Sequence, residues 1–319
     1  RPSPRVIQYD PVKARNAKPL ITIDQIVDAT QTRSFKWIAI ISCGSAIVFY
    51  FYNVEVVPVS GRRRFNCYSE KSVEKEGEMM YKKIMYEYKN AILPSWDPRT
   101  RMVERVMARM KKANDLEHVN WEVHVIDSPG TMNAFVIPGG KVFVFTGILP
   151  ICKNDDGLAA ILGHEIAHNV AQHAAEAMSS MVIFAPIRWS LIFLDATGFT
   201  MGLGRLLGDI GLELGIARPA SRKQESEADF IGLLMMAQAC YNPEEAVRVW
   251  QRMQVANQEG PPEWLSTHPS NANRIEKITK WLPKAREAFG ESGCVATSRH
   301  MNDFKEAMPS LGTWSLIFR

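Results

Sequence analysis

The chain has 319 residues, 46% of them hydrophobic, and a formal net charge of +4. That apolar content over that length supports a packed core and excludes a disordered chain. The near-balanced charge, with no basic stripe interleaved with aromatics, argues against nucleic acid as a partner.

Residues 1–34 form a basic N-terminal segment, with Arg1, Arg5, Lys13, Arg15, Lys18 and Arg33 set against Asp10, Asp24 and Asp28. The first residue is Arg rather than Met, as expected after removal of a presequence or within a piece of a longer chain. Phe35 to Val54 is almost uniformly apolar over about 20 residues, the length that crosses a hydrocarbon core. Phe35 and Trp37 at one end and Tyr50 and Tyr52 at the other suit the two interfaces, so one N-terminal transmembrane helix over 35–54 is predicted. A buried soluble helix is the alternative, but few globular helices lack a polar face over this length. Arg62, Arg63 and Arg64 on the far side read as a feature next to the membrane, and they leave orientation undecided by charge.

Helical spacing then predicts helices over Glu70–Tyr88 and Arg99–Lys112, and alternation predicts a strand over Trp121–Ile126. Alternating apolar residues in Val142–Phe145, preceded by Pro138-Gly139-Gly140, predict a hairpin. Asn154, Asp155 and Asp156 supply caps for a half-buried helix carrying Leu158, Ile161, Leu162, Ile166 and Val170. Met178 to Leu194 is apolar but interrupted by Pro186 and Arg188, and Gly198–Gly215 is rich in glycine. An Arg near mid-membrane costs about 2.5–3.5 kcal/mol, so residues 176–216 are expected to form a partly buried, partly membrane-facing insertion over the site. Leu203, Leu206, Leu207 and Ile210 would give it an apolar face; an ordinary helical hairpin in the core is the alternative. Ser221 is the expected cap of a further helix. Pro243–Val255 and Asn273–Phe289 also read as helices, with Pro283 breaking or kinking the second.

The chemistry concentrates in His164-Glu165-Ile166-Ala167-His168. Two histidines four apart share a helix face and can grip one zinc ion, and Glu165 beside them can take a proton from water. Catalytic zinc needs a third protein ligand and one open position. Glu225 is the best candidate. Asp229, one turn further on the same face, can accept the free N–H of a ligating imidazole, while Glu227 points to the opposite side. An isolated E-x-E-x-D run would ordinarily be a solvated face. His173 falls half a turn out of phase and is read as exposed or hydrogen-bonded; Glu176, placed on the same helix, is read as solvated. His118, His124 and His300 lack partners at metal spacing, and the methionines read as core filler and membrane contacts.

These residues resemble a family. His164 to His168 followed by Ser221-Arg222-x-x-Glu225-x-x-Ala228-Asp229 is similar to the HtpX-like and CAAX-prenyl-protease class of HExxH zinc metallopeptidases. Two further blocks extend the likeness: Asn133-Ala134-Phe135-x-x-Pro138-Gly139-Gly140 upstream, and Thr267-His268-Pro269 with Arg274 downstream. The resemblance implies a helix-rich α+β, zincin-like peptidase domain with a small sheet over 55–319, holding one Zn2+ on His164, His168 and Glu225. It implies that Asn133, Ala134 and Phe135 pair with substrate backbone, that His268 steadies the oxyanion, and that Arg274 is structural, pairing with an acidic group near the site. A purely structural hairpin is the alternative for the first of these.

The anchor, with Gly232-Leu233-Leu234-x-x-Ala237-x-Ala239-Cys240, most resembles the mitochondrial inner-membrane branch, whose activity overlaps that of the m-AAA protease. That branch implies a peptidase domain facing the intermembrane space, membrane-protein substrates including a dynamin-like fusion GTPase, contact with the lipid bilayer, self-cleavage and a homo-oligomer. In such a compartment Cys240 and Cys294 are the most plausible disulfide among five cysteines; without a CxxC, a cysteine-ligated structural zinc is not expected. The rival readings are a catalytically silent membrane adaptor on the same fold and a prenyl-type or general quality-control peptidase of another membrane.

Overall fold

The computed structural model describes residues 23–196, 218–256, 268 and 273–294. They fall into two compact units, one drawn from Arg1–Val54 and Ala185–Ile210, the other from Glu55–Phe184 and Gly211–Arg319.

In the first unit, α1 (Ile23–Gln31) is followed by α2 (Arg33–Tyr52). Thr32 separates them, its hydroxyl accepting from the Phe35 N–H at 3.2 Å as a cap. No residue of α2 is buried, and Ile41 and Val48 are 63% and 69% exposed. This apolar helix of 20 residues is long and apolar enough to cross a membrane.

The chain passes into the second unit within β1 (Val54–Val56), which pairs with β2 (Arg63–Phe65) as a two-stranded ribbon. Next come α3 (Glu70–Glu87), capped by Ser69, and α4 (Pro98–Ala113), where Asp97 caps the helix and Pro98 occupies its first turn. A three-stranded sheet follows from β3 (Glu122–Ile126), β4 (Ala134–Ile137) and β5 (Lys141–Phe145), in the order β3-β5-β4. The β3–β5 pair is parallel and the predicted β4–β5 hairpin antiparallel, with Phe135 opposite Phe143. Its turn needs Gly139 and Gly140 at φ +88° and +76°, and a Cβ on Gly140 would lie 2.8 Å from Val119. β4 is left at the sheet edge, with no strand beyond it among the described residues.

After the short α5 (Leu149–Cys152) comes α6 (Asp155–Val170), which carries the two histidines. Asn154 caps it, accepting from the Gly157 N–H at 2.9 Å, and Asp155 and Asp156 complement the positive end of the helix. This helix is not half-buried: every residue from Gly157 to Ala167 is buried, because α4, β4, α8 (Arg218–Gln238) and α9 (Glu244–Ala256) pack around it. It is the axis of the core.

Between α6 and α8 lies α7 (His173–Ala196), which is continuous through Pro186 and Arg188. Its stretch His173–Phe193 is also long and apolar enough to cross a membrane. Met181 and Trp189 are 71% and 67% exposed. The Gly198–Gly215 stretch, with Leu203, Leu206, Leu207 and Ile210, lies outside the described residues. α8 begins at Arg218, so Ser221 sits inside it rather than capping it. α10 (Arg274–Glu291) accommodates Pro283 without ending. Cys240 and Cys294 are joined in a disulfide with Cα atoms 5.2 Å apart, while Cys43, Cys67 and Cys152 are free.

Candidate metal centre

Three elements bring the chemistry together. α6 presents His164 and His168 one turn apart, α8 crosses it with Glu225, and His268 enters from the segment before α10. The His164 and His168 Nε2 atoms are 3.1 Å apart. Glu225 places Oε2 3.4 Å from the first and Oε1 3.4 Å from the second. His268 Nδ1 lies 3.3 Å from His164 Nε2 and 3.2 Å from Glu225 Oε1. Four ligands about 2.0–2.1 Å from a central zinc stand about 3.3–3.4 Å from one another. The donor set therefore fits tetrahedral zinc in both chemistry and spacing.

The surroundings orient these donors. Asp229 Oδ1 lies 3.0 Å from His164 Nδ1, where it can accept the ring N–H, and Arg274 Nη2 donates to the same oxygen at 2.6 Å. The Arg274 guanidinium stacks 3.4 Å from the Trp250 ring centroid, so this buried cation is held by an aromatic face as well as a carboxylate. Glu165 is buried and its carboxylate receives the backbone N–H of Val136 on the edge strand, yet its Oε1 has no hydrogen-bond partner. That oxygen, 3.5 Å from His268 Nε2, has room in its hydrogen bonding for a water molecule beside the metal donors.

Electrostatics favour a cation here. Burial lowers the basicity of His164, but Asp229 and Glu225 overcome it and raise its pKa to about 9. Burial dominates at His168, lowering its pKa to about 3 and keeping the ring neutral, as a metal ligand must be. Burial opposes charge on Glu225, but hydrogen bonds from His164, His168 and His268 hold it far below the carboxylate range. At Glu165 burial wins and the pKa is raised, the direction a general base at neutral pH requires.

The cluster opens into a cleft of about 570 Å³ whose lining includes Leu116, Val119, Trp121, Phe135, Val136 and Pro138. An extended peptide has both an edge strand and apolar walls to lie against. Asn133 is buried just before that strand, with Ala134 buried and Phe135 half-buried on it.

Several positions differ from expectation. His268, which the resemblance puts at the oxyanion, has Nδ1 in the donor cluster and Nε2 3.5 Å from Glu165 Oε1. His173 and Glu176 are not on the metal helix. α6 ends at Val170, Gln172 takes φ +49°, and the reversal returns His173 to the site, 2.8 Å from His168. His173 is accordingly buried and hydrogen-bonded rather than exposed. Glu176 is buried against Arg62, not solvated. Arg62 and Arg64 likewise turn into the protein, Arg64 onto Glu55, leaving only Arg63 of the triple-arginine run exposed. The Arg62–Glu176 pair spans 114 positions and has no local sequence signal.

Residues 97–282 match the profile of peptidase family M48. The chain is 44% identical over 279 residues to mitochondrial metalloendopeptidase OMA1 of Schizosaccharomyces pombe, covering 86% of this chain and 80% of that protein. It is 37% identical over 287 residues to the Saccharomyces cerevisiae protein of the same name, covering 85% and 81%. Against metalloendopeptidase OMA1, mitochondrial, of Homo sapiens it is 36% identical over 267 residues, covering 79% of this chain and 50% of that one.

Proposed function

The chain belongs to peptidase family M48, among its mitochondrial metalloendopeptidases, and on that premise we propose that it cleaves membrane proteins of the inner membrane with His164, His168 and Glu225 as its zinc ligands. Zinc, when bound, polarises a scissile carbonyl and makes water acidic enough to yield a nucleophile near neutral pH. Glu165 takes the proton of the attacking water on Oε1, which has no hydrogen bond of its own, and delivers it to the leaving amine. The Val136 N–H holds the Glu165 carboxylate in place, and the β4 edge lines the substrate up by main-chain hydrogen bonds. Asp229 keeps the proton of His164 on Nδ1, which leaves Nε2 free to ligate.

The observation that carries this reading is the spacing of the donor atoms, 3.1–3.4 Å apart on α6 and α8, with Glu165 Oε1 beside them, free of hydrogen bonds and 3.5 Å from His268 Nε2. The apolar α2, none of whose residues is buried, supports a membrane anchor, and the relatives' mitochondrial names support the compartment. An intermembrane-space orientation, a dynamin-like GTPase among the substrates, self-cleavage and a homo-oligomer are parts of the same proposal.

One observation favours a second reading, a zinc-binding but silent or latent protein: His268 Nδ1 fills the fourth place of the donor cluster. The deciding experiment follows cleavage of an unfolded membrane-protein substrate by the zinc-loaded full chain in nanodiscs, wild type against Glu165→Gln. Cleavage by the wild type, with a loss of about 10²–10⁴-fold in the variant at equal zinc content, supports the peptidase. Equal activity in both removes Glu165 as the base, and silence of both with zinc bound moves the assignment to the latent form.

A further inference from the structure

His168 faces the metal donors with Nε2 and a second histidine with Nδ1. His173 Nδ1 is 2.8 Å from His168 Nδ1, and His173 Nε2 is 2.9 Å from Glu227 Oε2. An imidazole that ligates through Nε2 while neutral carries its proton on Nδ1. That proton must then be donated to His173 Nδ1, so the His173 proton sits on Nε2 and is donated to Glu227. One arrangement of protons satisfies every contact.

Glu227 is held in turn. Arg62 Nε donates to its Oε2 at 2.8 Å, and the Ser60 hydroxyl donates to its Oε1. The other two nitrogens of Arg62 donate to Glu176 at 2.7 and 2.6 Å, closing a bidentate pair. His173, Glu176 and Glu227 are all buried, and Ser60 and Arg62 lie on the connection between β1 and β2. Buried charges cost desolvation free energy that offsets much of what pairing returns, so stability is only part of the account of this chain of contacts. Orientation is another part: His164 has a carboxylate directly on its Nδ1, whereas His168 reaches its carboxylate through His173.

We propose that His173, Glu227 and Arg62 form a positioning relay that fixes the tautomer and ring orientation of His168 for metal binding, making the β1–β2 connection part of the metal site. The relay rests on the reading of His168 as a zinc ligand. His173 does not ligate; it acts through His168.

The test uses the full chain in nanodiscs and reads zinc affinity by chelator competition and the visible spectrum of the cobalt-substituted protein. His173→Leu should weaken zinc binding by about 10–100-fold and shift the cobalt bands. His173→Gln should restore most of both, because its amide oxygen can accept from His168 and its amide nitrogen can donate to Glu227. Arg62→Leu should weaken zinc binding in the same direction. Wild-type affinity and an unchanged cobalt spectrum in folded His173→Leu would overturn the relay, as would a loss that His173→Gln does not rescue. Should His173→Leu not fold, the affinities and spectra of His173→Gln and Arg62→Leu decide: the relay stands if the first stays near wild type and the second weakens and shifts, and falls otherwise. His168→Ala serves as the reference. If it binds zinc as the wild type does, the ligand assignment fails along with the relay; if it loses zinc while His173→Leu does not, the relay alone fails.

Discussion

Gly163 and Gly232 face each other where α6 crosses α8: a Cβ on Gly232 would lie 2.6 Å from the backbone carbon of Gly163 and 2.6 Å from the backbone nitrogen of His164. Two glycines back to back let the helix axes approach closely enough for His164 and Glu225 to reach one metal. The closeness of that crossing is a condition of the site.

Gly232→Ala should therefore force the helices apart, with overpacking costing roughly 1–3 kcal/mol. Zinc affinity should fall together with the melting temperature. Thermal unfolding and chelator competition check this, and an unchanged affinity would mean that the crossing has slack.

Removing the metal should lower stability, because His164, His168, Glu225 and His268 converge in a buried volume and zinc binds the folded arrangement far better than the unfolded chain. With free zinc at about a thousand times its dissociation constant, the loss on chelation is about 4 kcal/mol. Calorimetry with and without chelator measures it, and in Glu225→Ala the difference should shrink sharply.

Acid should act on the Glu227 contacts. Burial opposes charge there, but His173, Arg62 and Ser60 prevail and lower its pKa from 4.5 to about 2. A depressed carboxylate contributes its stability in full above about 4.5 and loses it as pH falls through the window down to about 2. Glu227→Gln should start less stable at neutral pH and lose less across that window. Melting temperatures from pH 6 to pH 2 show whether the two curves converge.

Reduction of Cys240–Cys294 should be costly. The bridge closes a loop of 54 positions, for which chain entropy predicts about 4 kcal/mol. A fall in melting temperature on the order of 10 °C is expected for the reduced protein and for Cys240→Ser. If both melt as the wild type does, the loop is already held by packing.

Gly44→Arg in the middle of α2 should weaken membrane retention by about 2.5–3.5 kcal/mol. Alkaline extraction of mitochondria measures the retained fraction. In the same organelles, an intermembrane-space orientation predicts that the peptidase unit becomes sensitive to added protease when the outer membrane is ruptured, with the inner membrane still sealed.

The elements legible from the sequence were those set by nearest neighbours along the chain. Glu70–Glu87, Pro98–Ala113 and Glu244–Ala256 carry apolar residues at helical spacing, the first two behind caps, and their ends fall within a residue or two of expectation. Local periodicity likewise put His164 and His168 on one face, and Glu225 and Asp229 on one face of another helix, because the helical repeat fixes both. What only the tertiary structure decided are relationships between distant segments. The left-handed Gln172 turned His173 back onto His168, Arg62 crossed to Glu176 and Glu227, and His268 Nδ1 came into the donor cluster rather than beyond it. Those contacts depend on how close α6 and α8 lie and where α7 begins, and packing of the whole core sets both.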